Sequence, residues 1–231
     1  IINKSNIMGF YRGPNIVTDG LVYAMDAGSA RSYDGTTTLN DLVGSKTGTL
    51  TNGVTYQSIN GGVFDFDGTD DYINMGTGLL NLQNASFTLS TWIKWGGGSE
   101  DTFFGYDYVS TSKQNIHWRI YANGLLRFDF YSNSINSAVG AIVADEWVNL
   151  TVTFNYTTTT TKCYKNGTLL MQGNVGPFTG IDASSTATIG SWGTNGQYYE
   201  GAIPCFKAYN KALTQAEVTQ NFNAQKSRFG L

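Results

Sequence analysis

Five aromatic residues of this chain, Tyr106, Tyr108, Trp192, Tyr198 and Tyr199, fall in or beside stretches that read as loops. Sugars lay their apolar faces on such rings, while Asn, Asp and Gln supply hydrogen bonds at the edges. The five are therefore candidate glycan contacts, and partial burial beneath the loops accounts for the same pattern. Trp92, Trp118 and Trp147 lie in alternating apolar segments and read as core. His117 is the single histidine, and nothing in its spacing announces the partners of a catalytic triad or a zinc site. Cys163 and Cys205 do not make a disulfide framework. Each sits in a strand-like segment, where a small buried thiol is expected. Gly96-Gly97-Gly98 lacks the Lys and the following helix of a phosphate-binding loop.

Such residues need a scaffold, and composition narrows it. The 231 residues fit one large β domain. Hydrophobic residues make up 41% and aromatics 14%, enough for a packed core, whereas charged residues are only 13%. That is about half the usual share of roughly 25%. The surface must then be built from Asn, Thr, Ser, Gln and Gly, which suits extracellular or particle-bound proteins. A net charge of −3 and 14 scattered basic residues give no stripe for nucleic acid. No apolar run approaches the roughly 18 residues of a membrane-spanning helix.

Glycine is abundant, at 28 residues, and proline scarce, at 3. Short alternating runs between frequent turn signals are the mark of a sandwich or barrel. Phe87, Leu89 and Ile93 share one side of a strand, with Thr88, Ser90 and Lys94 on the other. Val148, Leu150, Val152 and Phe154 align in the same way. Residues 20–26, 62–66 and 71–75 read as shorter strands. Around Asn123-Gly124, a two-residue turn would oppose Trp118 and Asp129, mixing apolar and charged partners. A three-residue loop instead opposes Trp118 and Phe128, and Ile120 and Leu126. Because a one-residue slip flips every side chain, the matched register is predicted, with Gly124 at positive φ and His117 across from Asp129 in a surface pair. A second hairpin turns at Asn166-Gly167 and sets Tyr164 beside Leu169. Residues 157–161 read as an exposed connection. One helix is predicted, opened by the capping box Thr214-Gln215-Ala216-Glu217 with a Leu213–Val218 staple. Residues 1–19 read as an extended arm that packs along its own sandwich or, the favoured outcome, reaches a neighbouring subunit, and residues 20–231 as the domain.

Four blocks then resemble a known family. Phe66-Asp67-Gly68-Thr69-Asp70-Asp71-Tyr72-Ile73 and Ser86-Phe87-Thr88-Leu89-Ser90-Thr91-Trp92-Ile93 are similar to signature segments of laminin-G-like, concanavalin-A-like jelly rolls. So are Glu146-Trp147-Val148 with Tyr164-Lys165-Asn166-Gly167, and Gly201-Ala202-Ile203 with Tyr209-Asn210-Lys211-Ala212-Leu213-Thr214. The resemblance implies an all-β fold, a two-sheet antiparallel jelly-roll sandwich with a short C-terminal helix. The opening 19–28 segment, joined to the terminal helix, is similar to jelly rolls in structural proteins of tailed bacteriophages. The family often holds a structural calcium near the late strand, but Pro204 stands where an acid usually follows Ile203. Asp67, Asp70 and Asp71 remain as ligand candidates, and a tight Asp turn explains them better. No cofactor is expected.

The fold also hosts glycosidases, which need two convergent carboxylates. No alternating block of acids supplies them, and Asp65 and Asp67 face away from Phe64 and Phe66. The expectation is a non-catalytic protein of a virion, in capsid decoration or tail, with a fold suited to glycan binding. Its partners would be other virion proteins, copies of itself or a cell-surface glycan, with no nucleic acid or membrane. The alternative is a secreted or cell-surface carbohydrate-binding module, and a glycoside hydrolase comes third. Either of the first two places the protein on a virion surface or outside the cell.

Overall fold

The computed structural model describes residues 14–80, 82–106, 115–130, 133–175, 184–193 and 196–231. Two antiparallel sheets face each other. The first sheet runs β14 (Thr168–Asn174), β13 (Thr160–Lys165), β12 (Trp147–Asn155), β7 (Phe87–Trp95), β16 (Glu200–Tyr209), β5 (Val63–Asp67) and β4 (Thr55–Gln57), and β1 (Leu21–Asp26) also pairs with β16. The second runs β11 (Ser134–Asn136), β10 (Leu126–Asp129), β9 (Ile116–Tyr121), β8 (Glu100–Tyr106), β15 (Thr186–Ile189), β6 (Tyr72–Thr77), β3 (Thr47–Thr51) and β2 (Thr38–Asn40).

Alternation decides which side chains fill the space between them. Phe87, Leu89, Leu150, Val152 and Phe154 of the first sheet meet Phe104, Trp118, Ile120, Leu126 and Phe128 of the second, all buried. Each such side chain contributes roughly 1.5–3 kcal/mol when fully buried. The predicted register holds, with Trp118 opposite Phe128, Ile120 opposite Leu126, and Gly124 at φ 71°. Tyr164 pairs with Leu169 beyond an Asn166-Gly167 turn in which both residues have positive φ. Residues 157–161 are not wholly an exposed connection: Thr160 opens β13 and Thr161 is buried, because the turn from β12 is tighter than the threonine run implies.

Pro204 lies inside β16 where the register with β7 shifts between Ala202 and Cys205. An irregularity of this kind tolerates a residue that cannot donate to the ladder. Its carbonyl accepts from Ala27 N at 2.8 Å.

The outer face of the first sheet is covered by the C-terminus. Helix α1 (Gln215–Gln225) starts at the expected capping box. Val218 is buried, and Phe222 stacks on Trp92 at 5.7 Å, beside Phe229 at 4.2 Å from the same indole. The described part of the arm lies along its own domain. Val17 N donates to Asn221 Oδ1 at 2.8 Å, Tyr209 Oη donates to Val17 O at 3.2 Å, and Gln220 Nε2 donates to Asn15 O at 2.8 Å. Residues 14–19 therefore pack on their own helix; residues 1–13 lie outside the described residues. Cys163 and Cys205 are free and buried.

Candidate functional site

The outer face of the second sheet lacks the helix that covers the first, and a segment between β15 and β16 crosses it. Gly190 N donates to Phe103 O, and Thr102 N donates to Gln197 O at 3.1 Å. At Gly105 a Cβ would lie 2.6 Å from Ser191 O and 2.9 Å from Trp192 Cα, so only glycine lets this segment approach the strand.

The aromatic candidates divide on this framework. Tyr106 is buried at the end of β8, donating to Leu80 O at 2.6 Å and accepting from Leu80 N at 3.1 Å. Tyr199 is buried edge-on between Phe66 and Phe103. Neither presents a ring face to solvent: strand pairing turns Tyr106 inward, and Tyr199, just before β16, is held by its N–H donating to Gly190 O at 2.9 Å. Trp192 is buried against His117, with ring centroids 3.3 Å apart. Tyr198 is half-buried, and Tyr108 lies outside the described residues. His117 does sit across from Asp129. It is not a surface residue, however, since Trp192 covers it, leaving 2% exposed. Burial, then the charges of Arg119 and Arg127, push its pKa down to about 3, so the ring is neutral.

What converges on this face is a polar array. Arg119 of β9 and Arg127 of β10 are direct cross-strand partners, an arrangement of like charges that destabilises unless something separates them. Asp129 does so: its Oδ2 lies 2.8 Å from Arg127 Nε and 3.6 Å from Arg119 Nη2. On the other side, Arg119 Nη1 lies 3.8 Å from Glu100 Oε2 and donates to Gln197 Oε1 at 3.2 Å. Gln197 Nε2 closes the ring by donating to Glu100 Oε2 at 2.8 Å. The Arg119 guanidinium also lies over the Tyr121 ring at 5.0 Å, and Arg127 Nη1 donates to Tyr121 Oη at 3.2 Å.

The two guanidinium and two carboxylate charges balance. Asp129 is 3% exposed and Arg119 9%, whereas Glu100 keeps 44% of its side chain open. Arg127, Tyr121 and Gln197 are half-buried. A fixed inner pair thus holds an outer rim of alternating donors and acceptors. Both carboxylates are tied to Arg119 instead of facing each other across an open cleft. Sequence reasoning missed this set. The available signal was the outward triplet His117, Arg119 and Tyr121 opposite Arg127 and Asp129, which follows directly from the predicted register.

The acidic stretch behaves differently. Asp67, Asp70 and Asp71 bring carboxylate oxygens within 4.8 Å of one another. Yet Asp71 Oδ2 accepts from Asp67 N at 3.1 Å, Asp67 Oδ1 accepts from Thr69 N at 2.8 Å, and Asp70 O accepts from Asn52 Nδ2 at 3.0 Å. These are the bonds of an Asp turn. Two of the three carboxylates, those of Asp67 and Asp71, serve this turn, while Asp70 bonds through its backbone carbonyl.

Several solved structures share the architecture. Domain 4 of AbnA, a GH43 extracellular arabinanase from Geobacillus stearothermophilus in complex with arabinotriose, matches with a TM-score of 0.68 at 20% identity, over 88% of this chain and 98% of that one. The binding domain of botulinum neurotoxin serotype D matches at 0.71 and 15%, over 90% of this chain and 52% of that one. Trypanosoma rangeli sialidase matches at 0.68 and 15%, over 92% and 34%. The chain thus spans about half of the neurotoxin structure and a third of the sialidase. At these identities the likeness is one of fold. No curated protein matches by sequence. The family model of the concanavalin A-like lectin/glucanases superfamily matches residues 67–219, more than half of the chain, which therefore belongs to that superfamily.

Proposed function

We propose that this chain is a non-catalytic carbohydrate-binding domain that reads sugar hydroxyls with the Arg119 face of its second sheet. One observation carries the reading: Glu100, Gln197, Arg127 and Tyr121 form a half-open rim of donors and acceptors, fixed from beneath by the buried Arg119–Asp129 pair. Groups held in place before binding lose little freedom when a ligand arrives. Arabinotriose in the complex of the arabinanase domain supports the ligand class by analogy. The domain works outside the cell or on a virion surface.

A second reading, a structural role in a bacteriophage particle, is favoured by the low charged share of 13%. Its opening and closing blocks also pair, as β1 and β16. Recovering the native protein with particles or free in the medium separates the two roles.

The test of the first reading is a glycan array followed by calorimetric titration of the best ligands. Gln197→Ala and Glu100→Gln should each weaken binding by about tenfold, the effect of roughly 1.4 kcal/mol, with no release of reducing sugar by any form. Binding indifferent to both substitutions, or no glycan bound, would overturn it.

A further inference from the structure

Where the first sheet ends at β4 and the second at β2, five strands from β9, lies a surface the Arg119 face does not reach. Tyr56 sits on the short edge strand β4 and is 42% exposed, the most exposed aromatic side chain among the described residues. It leans on the half-buried Tyr33, with ring centroids 5.2 Å apart and planes tilted by 34°. Tyr33 in turn stands edge-on against Phe64 of the core, at 5.0 Å.

The backbone around Tyr33 is pinned from several sides. Tyr33 N donates to Ser29 O at 2.8 Å, Asn40 N donates to Ser32 O at 2.7 Å, and Ser32 Oγ donates to Asn40 O at 2.8 Å. A shallow groove opens on each side of the Tyr33–Gly35 ridge. One, of about 300 Å³, is walled by Ala27, Gly28, Ala30 and Tyr56. The other, of about 290 Å³, is walled by Thr36, Thr37, Leu50 and Val54. Each lies near the lower bound of the roughly 300–1,000 Å³ of small-ligand sites. Among the described residues no charged side chain lines either groove, and the exposed Asp34 lies on the ridge between them.

We infer that this edge is a second saccharide site, taking a neutral oligosaccharide of at least two rings that straddles the Tyr33 ridge. The ligand class rests on the carbohydrate-binding reading above, while the residues are independent of it. Flat apolar sugar faces match the exposed phenol rings. The small walls of Gly28, Ala30 and Gly35 leave room for them, and the Thr37 hydroxyl with the two phenol groups supplies polar contacts, the Thr36 hydroxyl being spent on Asp34 and Thr38 N. Uncharged walls on either side of the Asp34 carboxylate favour a neutral sugar over an acidic sugar or an acidic peptide. Because Tyr33 is anchored on Phe64 and its loop is pinned, little ordering is required on binding.

The experiment titrates the full chain with neutral trisaccharides (arabinotriose, cellotriose and maltotriose), following amide shifts by NMR and heats by calorimetry. Tyr56→Ala should weaken trisaccharide binding at this edge by about tenfold or more, and Tyr56→Phe, which keeps the ring, should stay within about threefold. Tyr56 is on a short edge strand and 42% exposed, so Tyr56→Phe should melt at the wild-type temperature and Tyr56→Ala within a few degrees of it. Shifts at Tyr33, Gly35 and Thr37 that survive Gln197→Ala but vanish in Tyr56→Ala support the edge site, whatever happens at the Arg119 face. Unchanged binding by Tyr56→Ala overturns the edge site, even if Gln197→Ala weakens binding and so supports the first reading. No perturbation of these residues by any of the three sugars also overturns it.

Discussion

The indole N–H of Trp95 donates to the carboxylate of Asp101, which lies 4% exposed near the start of β8. Burial raises the pKa of Asp101 to about 6 and nearby Glu200 adds to the rise, although the Trp95 bond opposes it. The folded value lies above the ordinary 3.8. The contribution of Asp101 to stability is therefore full below about pH 4, falls as pH rises through 6, and is flat above. Denaturant unfolding of wild type and Asp101→Asn should converge or cross between pH 4 and 7.5, the difference changing by on the order of 2 kcal/mol. Parallel profiles would show that Asp101 titrates as an ordinary carboxyl.

Gly124 is the second test, because the β9–β10 register depends on it. At φ 71°, a Cβ there would also lie 2.3 Å from Ile142 O. Gly124→Ala should cost about 1–3 kcal/mol for the backbone conformation, with further loss from the clash. Denaturant unfolding measures it, and a change below a few tenths would contradict the observed turn.

That hairpin also marks what the residues alone could reveal. Trp118 opposite Phe128 was legible because side chains alternate strictly, so one register buries apolar partners and the other mixes them with charge. The capping box was legible because its residues are three apart in sequence. The Arg119 ring was half legible: the register opposes Arg119 and Arg127, but Gln197 arrives from 78 residues away. Tyr33 and Tyr56 were not legible at all. They belong to a loop after β1 and an edge strand of the first sheet, with no periodicity linking them. Tyr106 and Tyr199 sit beside loops in sequence, yet strand pairing turns Tyr106 inward and long-range packing on Phe66 and Phe103 buries Tyr199, which local composition does not encode.

Asn221 joins the arm to the domain. Its Oδ1 accepts from Val17 N, and its Nδ2 donates to Tyr209 Oη at 3.0 Å, all within a buried cluster. Asn221→Ala leaves an amide and a hydroxyl short of partners and should cost about 2–3 kcal/mol. Asn221→Asp keeps the acceptor for Val17 but loses the donor. Stability equal to wild type in the alanine variant would detach residues 14–19 from the folded core.

The thiols offer a simple check of the core. Cys163 and Cys205 are both 0% exposed, and burial holds the Cys163 thiol well above its ordinary pKa. The thiolate is the reactive form. Native protein should resist a soluble disulfide reagent at neutral pH and release two equivalents of reagent chromophore only on unfolding, matching the two cysteines of the sequence. Rapid labelling of the native state would place one of them at the surface.

Asp129 separates a structural role for the polar array from a recognition role. It is nearly buried and lies within 3.6 Å of both guanidinium groups. Asp129→Leu would leave Arg119 and Arg127 facing each other across the β9–β10 ladder, and breaking a buried pair of this kind costs about 3–5 kcal/mol. Replacing the charged trio together, with Arg119→Met, Arg127→Leu and Asp129→Leu, removes the stranded charges. Such apolar replacement is often neutral or stabilising by about 1–4 kcal/mol relative to the ion pairs. If the array exists for recognition, the triple variant should unfold at or above the wild-type denaturant midpoint and yet lose glycan binding at this face. If it exists for the fold, the triple variant should fall with the single one, because the loop bearing Gln197 would lose its Arg119 anchor and β8 would lose its cover. Unfolding midpoints and glycan titrations on the same three proteins decide between these outcomes.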